Sequence, residues 1–168
     1  VWSHRKNIGT PLDTGSMLMI AEFDPVHPER LISEPKCLSR PLYGFENTEH
    51  TINNEGPYAF YYNNKIYLAY SGGDARGYLY AIGMLTANDG DDLCDLSVWE
   101  KAKTPIASFA TIPGEYGPGH NSFFWDRDQN LWIAYHAVTS FEEKIVSSGM
   151  RRVYFEQDKT PRFDVIVE

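Results

Sequence analysis

The sequence has little with which to build a covalently stapled or metal-held scaffold. It carries two cysteines in 168 residues. Cys37 and Cys94 are too few and too far apart for a disulfide framework or a zinc cage, so both read as structural thiols. No run is apolar long enough to span a bilayer, and no membrane partner is expected. Basic charge is also scarce: 15 Lys and Arg stand against 23 Asp and Glu, a net charge of −8. Without a basic cluster to replace phosphate counterions, a nucleic-acid groove is excluded. Amphipathic helical periodicity is missing, and residues 93–101 offer at most one or two turns. The opening residues Val1-Trp2-Ser3-His4-Arg5-Lys6 have neither an initiator Met nor a signal-peptide apolar core. They read as a processed or truncated end, which leaves the compartment open.

What the sequence does have is aromatic side chains, 14% of its residues, within a 42% hydrophobic composition that leans toward β-structure. Short apolar runs lie at 17–23, 59–62, 66–71, 80–86, 122–125, 131–136 and 153–156, separated by Gly, Asn, Asp and Pro. Asn63-Asn64-Lys65 and the stretch 126–130 supply hairpin turns. The order of the runs repeats. Ala59-Phe60-Tyr61-Tyr62, a turn, then Ile66-Tyr67-Leu68-Ala69-Tyr70 matches Phe123-Phe124-Trp125, a turn, then Leu131-Trp132-Ile133-Ala134-Tyr135, about 65 residues later. A third strand is expected in each copy, at 80–86 and 152–156, and 17–23 resembles the third strand of an earlier copy. The runs 66–70 and 131–135 are apolar at every position, which suits strands covered on both faces.

A repeat of this length, holding several short antiparallel strands, reads as a propeller blade; a β-sandwich with two similar hairpins is the alternative. On the blade reading, the fold is all-β and residues 1–168 form one partial propeller, about two complete blades plus the tail of a preceding one. A propeller needs at least about four blades to close. The chain is therefore expected to be a fragment or part of an assembly.

Asn53-Asn54-Glu55-Gly56-Pro57-Tyr58 precedes the first strand of a blade. Gly and Pro fix the backbone around a single carboxyl, and the aromatic run after it lowers the local dielectric, as a general acid requires. The equivalent place one repeat on is Tyr116-Gly117-Pro118-Gly119-His120-Asn121-Ser122, where His120 aligns with Gly56. A histidine there can bind a metal, orient a carboxylate or satisfy a buried hydrogen bond.

The run Asn54-Glu55-Gly56-Pro57 followed by Lys65-Ile66-Tyr67-Leu68-Ala69-Tyr70-Ser71 resembles the acid-bearing segment of family 43 glycoside hydrolases. So do Gly83-Met84-Leu85-Thr86-Ala87, Ser97-Val98-Trp99-Glu100-Lys101, the YGPGHNSF stretch 116–123 and Ala134-Tyr135-His136-Ala137. Arg152-Val153 and the residues 158–161 match the family's last strand and turn. The nearest branch holds exo-acting α-L-arabinofuranosidases, with β-xylosidases next. The resemblance implies a five-bladed β-propeller and an inverting mechanism with three carboxylates, acid and base about 6.5–9.5 Å apart. It maps Glu55 onto the general acid, His120 onto a channel histidine near a water-coordinated calcium, and Arg152 onto an arginine beside the pocket. No cofactor is required for the chemistry. The base and the second Asp are expected upstream of Val1, because Asp13 and Asp24 lie outside the family's aspartate context and read as turn residues. The implied substrate is an arabinose- or xylose-containing oligosaccharide or polysaccharide. The implied partner is the missing N-terminal half or a second copy. The alternative is a catalytically inactive, carbohydrate-binding relic of the same family.

Overall fold

Every apolar run falls on a strand in the computed structural model, which describes residues 1–140, 142 and 145–165. The fold is all-β, and no α-helix occurs among the described residues. The first sheet orders β1 (Trp2–Arg5), β2 (Ser16–Ile20) and β3 (Lys36–Ser39) side by side, all antiparallel. A small hairpin, β4 (Asn47–Thr48) and β5 (Thr51–Ile52), leads to the middle sheet. That sheet runs β6 (Asn54–Tyr62), β7 (Lys65–Gly72), β8 (Ala81–Asn88) and β9 (Glu100–Lys101). The third sheet is β10 (Tyr116–Trp125), β11 (Leu131–Val138) and β12 (Val146–Arg152). A hairpin of β13 (Tyr154–Phe155) and β14 (Pro161–Arg162) follows.

The turns form where the residues favour them. Asn63 and Asn64 take φ of 51° and 62°, the left-handed pair that a two-residue hairpin loop demands and that Asn tolerates. In the 126–130 turn, the Asp126 carboxylate accepts from the Asp128 and Asn130 backbone and from the Asn130 and Trp132 side chains. These donors, Trp132 first, hold its carboxyl down at about 2.

The middle sheet is covered on both faces, which explains why β7 is apolar at successive positions. Leu68 and Tyr70 pack with Leu18 of the first sheet and Leu85. Tyr67 and Ala69 face the other way, into a core with Phe60, Ile82, Met84, Phe123, Ile133 and Tyr135. In β11 only one face is buried this way. Leu131, Ile133 and Tyr135 are buried, while Trp132 and Ala134 are half-exposed and Phe124 stacks on Trp132.

One further expectation is corrected by the pairing. The third strand of the last sheet is β12, whose residues pair with β11 from Trp132↔Arg152 to Val138↔Val146. The run 153–156 instead supplies β13 of the separate hairpin. The stretch 93–101 gives a single 3-10 turn, Leu96–Val98, before β9.

The middle and third sheets share a device that links a buried tyrosine to a salt bridge. Tyr70 lies opposite Gly83, and Tyr135 lies opposite Gly149. A Cβ on those glycines would come within 2.4 Å and 2.6 Å of the facing ring, so only glycine admits it. Each phenol then donates to a glutamate, Tyr70 to Glu46 at 2.7 Å and Tyr135 to Glu115 at 2.6 Å. Each glutamate is also paired with a cation, Lys101 or Arg151. Glu46 is wholly buried, so its phenol and ammonium partners are what make burial of that carboxylate tolerable.

Candidate active site

The candidate site is built where β6 and β10 begin. Glu55 pairs with Ser71, and the ladder then slips before Tyr58, at Gly56 and Pro57. Gly56 adopts φ +57°, and Pro57 has no N–H to give the ladder, so this dipeptide produces the bulge. β10 slips at the equivalent place, between Gly119 and Ser122. There His120 is held at φ +52°, a conformation that disfavours any residue with a Cβ and is stabilised by its surroundings. Its backbone N–H donates to Ser71 Oγ at 2.7 Å. The two bulges meet: a Cβ on Gly56 would lie 3.6 Å from His120 Nδ1. From the first sheet, Ser3 Oγ accepts the Gly56 N–H at 3.2 Å.

Glu55 is half-buried. Its Oε1 accepts a hydrogen bond of 2.7 Å from the Tyr80 hydroxyl, and Oε2 has no partner among the described residues. Tyr80 itself has no exposed surface. Burial pushes its phenol far above the ordinary range; a Ser71 hydrogen bond opposes this and the Glu55 charge adds to it. The Tyr80 ring stacks on His136 at 5.6 Å, and His136 stacks on His120 at 6.3 Å, all three rings close to parallel. Burial, and secondarily the neighbouring His120, lower the His136 imidazole, so it favours the neutral form. A carboxyl with one oxygen engaged and the other without a partner among the described residues, in a cluster with an exposed and a half-buried imidazole, can deliver a proton to a bound ligand.

The structure therefore brings Glu55 and His120 together but not Arg152. Arg152 pairs with Trp132, four residues along β11 from His136, or roughly 13 Å at strand rise. Its guanidinium lies over the exposed-side ring of Tyr154 at 5.1 Å. The adjacent Arg151 points inward, to Tyr135 and Glu115. Asp13 and Asp24 are held in turns, with no hydrogen bond to Glu55 or His120 among the described residues. Asp13 is gripped by Arg5 at 2.7 and 2.8 Å and accepts from Gly9 and Gly15 N–H, Arg5 above all holding its carboxyl well below the usual range. Asp24 caps the backbone of Val26 and His27. Three residues of the cluster had no assigned role in the sequence: Tyr80, Ser71 and His136. Ser71 and His136 stand inside stretches that resemble the family, so the repeat alignment carried a signal for them. Tyr80 arrives from a long loop and carried none.

Comparison with known proteins fits this geometry. The glycosyl hydrolases family 43 profile matches residues 2–161. The chain is 29% identical over 163 residues to an extracellular exo-alpha-(1->5)-L-arabinofuranosidase of Streptomyces avermitilis, covering 92% of this chain and 33% of that protein. A protein of the same description from Streptomyces chartreusis is 35% identical over 126 residues, 74% of this chain and 37% of its own length. Among solved structures, an alpha-L-arabinofuranosidase from Lactobacillus brevis superposes with a TM-score of 0.79 at 30% identity, over 92% of this chain and 49% of that one. A xylan beta-1,4-xylosidase from Bacillus halodurans, at 15% identity and a TM-score of 0.68, shares the fold. The chain thus spans about a third of the length of these sequence relatives and about half of the Lactobacillus brevis structure. With the match running almost from end to end, this chain belongs to family 43 of the glycosyl hydrolases.

Proposed function

We propose that this chain carries the general acid of an inverting glycosidase acting on plant cell-wall polysaccharide, and that the acid is Glu55. The sugar released is an α-L-arabinofuranosyl residue, as the names of the relatives suggest, with a β-xylosyl residue the other candidate. One observation carries the reading: a half-buried carboxyl whose neighbour Gly56 meets His120, with Oε1 occupied by Tyr80 and no partner at Oε2 among the described residues. The Glu55 proton passes to the glycosidic oxygen as the bond from that oxygen to the anomeric carbon breaks. Water bonds to the opposite face of that carbon and gives its proton to a base. The resemblance to the family assigns that base and the aspartate that tunes the acid to polypeptide outside this chain, and it leaves Asp13 and Asp24 as the turn residues they are here.

On this reading the three larger sheets are blades of a five-bladed propeller, the first sheet being the tail of one blade. The half-exposed face of β10–β12, with Phe124 and Met150, is then covered by a further sheet of the same fold. Its support is the half of the Lactobacillus brevis structure that this chain does not span. An axial calcium fits His120 only through water. Calcium takes about six to eight oxygen ligands, and His120 offers only nitrogen. The group of three potential ligand side chains found among the described residues is Glu22, Asp92 and Cys94, which does not include His120. No step above depends on an ion.

The test is to assay the 168-residue chain alone and completed by the upstream polypeptide, on aryl arabinofuranosides and xylosides. Proton NMR identifies the sugar anomer formed first. Hydrolysis confined to the completed form, with inverted product, is expected. A retained anomer would sink the inverting mechanism. Sugar binding without turnover in both forms would favour the inactive relic.

A further inference from the structure

We propose that Tyr80 is a positioning residue for Glu55: its phenol occupies Oε1, so the transferable proton resides on Oε2. This inference rests on the reading of Glu55 as the general acid. A protonated carboxyl has one O–H and one acceptor oxygen, and both orientations are open to it unless a neighbour chooses. Tyr80 makes that choice, because its hydroxyl donates to Oε1 at 2.7 Å.

The phenol is suited to the task on three counts. First, it stays protonated across any working pH, because burial drives its ionisation far upward. It can therefore donate, as it does here to Oε1, whether Glu55 is charged or neutral. Second, the ring cannot swing. A Cβ on Gly119 would sit 2.0 Å from Tyr80 Cε1, and the ring is stacked on His136 at 5.6 Å. The glycine before His120 is thus the seat of the Tyr80 ring. Third, Ser71 joins the two halves of the site. It pairs with Glu55 across the ladder, accepts the His120 N–H, and its hydroxyl acts on the Tyr80 phenol, drawing its ionisation down.

The choice has a chemical consequence. Without the Tyr80 hydroxyl, the proton is shared between the two oxygens and the carboxyl is free to rotate, so proton delivery to the leaving oxygen weakens. Tyr80 is wholly buried and its hydroxyl is given to Glu55, which keeps it from holding substrate directly. The loss should fall on leaving groups that need a proton and spare those that do not.

The experiment compares wild type, Tyr80→Phe and Glu55→Gln in the form of the protein that hydrolyses arabinosides. Tyr80→Phe keeps the ring seated and removes only the hydroxyl. It should lower kcat on an arabino-oligosaccharide roughly tenfold or more, part of the full general-acid effect, with KM within about twofold. On a dinitrophenyl arabinofuranoside, whose leaving group departs unaided, the loss should stay below about threefold. Equal losses on both substrates, or none, would overturn the positioning role. If Glu55→Gln itself leaves turnover intact, the acid assignment fails instead, and the two failures are distinguishable. A crystal structure of the Tyr80→Phe chain supplies a readout independent of activity: the Glu55 carboxyl should leave its present position, and an unmoved carboxyl counts against the proposal. Should Tyr80→Phe not fold, Ser71→Ala removes the neighbouring hydroxyl that acts on the phenol. It should show the same substrate split at smaller amplitude, and no split overturns the role.

Discussion

Replacing Gly119 by alanine adds one methyl group at the most crowded point of the site. The new Cβ would stand 2.0 Å from Cε1, 2.3 Å from Cδ1 and 3.0 Å from Cζ of Tyr80. Those distances are far inside contact, and the obstacle is the body of a fully buried ring rather than the tip of a flexible chain. The ring must move, yet His136 stacks on it and Glu55 holds its hydroxyl. Overpacking of this kind costs about 1–3 kcal/mol. For a chain of this size that lowers Tm by roughly 2–12 °C. Gly44→Ala is the control, since its Cβ meets nothing within 4 Å and its φ is ordinary; it should stay within about 0.5 kcal/mol of wild type. Urea unfolding of both variants gives the comparison. The cause is isolated by repeating Gly119→Ala in a Tyr80→Ala background, where the collision is gone and most of the penalty should vanish as a coupling energy. A Gly119→Ala chain as stable as the control, or an undiminished penalty without Tyr80, would refute the account of why glycine stands there.

Three other outcomes follow from the packing and the titrations. Tyr70, Tyr80 and Tyr135 are pushed above the ordinary phenol range, by burial first of all. Their stabilisation is fully present below pH about 10 and is lost above it, because the unfolded phenols ionise while the folded ones do not. An alkaline titration followed at 295 nm should show these tyrosines ionising only as the chain unfolds, and free ionisation before unfolding would contradict their burial. Arg152→Ala should leave kcat and KM unchanged, since the guanidinium lies over Tyr154 and away from Glu55; a large kinetic loss would show that Arg152 serves the site. Leu68→Ala, in the core between the first and middle sheets, should cost about 2–5 kcal/mol in urea, whereas Met150→Ala on the exposed face of β12 should cost less than about 0.5 kcal/mol.

The repeat was legible because the buried strands advertise themselves. β7 is enclosed on both faces, and its apolar run marks it without any alternation to decode. The meeting of Gly56 with His120 was legible too, since aligning the strands of the two repeats sets His120 at the place of Gly56. β12 was not. Val146–Arg152 reads VSSGMRR, with side chains alternately exposed and half-exposed, so it offers no apolar run to detect. Neighbouring 153–156 looked stronger only because Val153, Tyr154 and Phe155 are apolar. The strands β1 and β3 were missed for the same reason, being short and largely polar. Tyr80 escaped because its role depends on a contact 25 residues from Glu55, made across β7 and through space left by Gly119. The Glu46–Lys101 pair lies between a short 3-10 turn and a two-residue strand, and neither has a periodicity to read.

The central claim is that Glu55 gives the proton. The most direct measurement is the turnover of Glu55→Gln on an arabino-oligosaccharide, in the form of the protein that hydrolyses arabinosides. Glutamine keeps the shape and can still accept from Tyr80, but it has no proton to deliver. The account predicts a fall in kcat of roughly 10²–10⁴ with binding retained. Turnover close to wild type would contradict it.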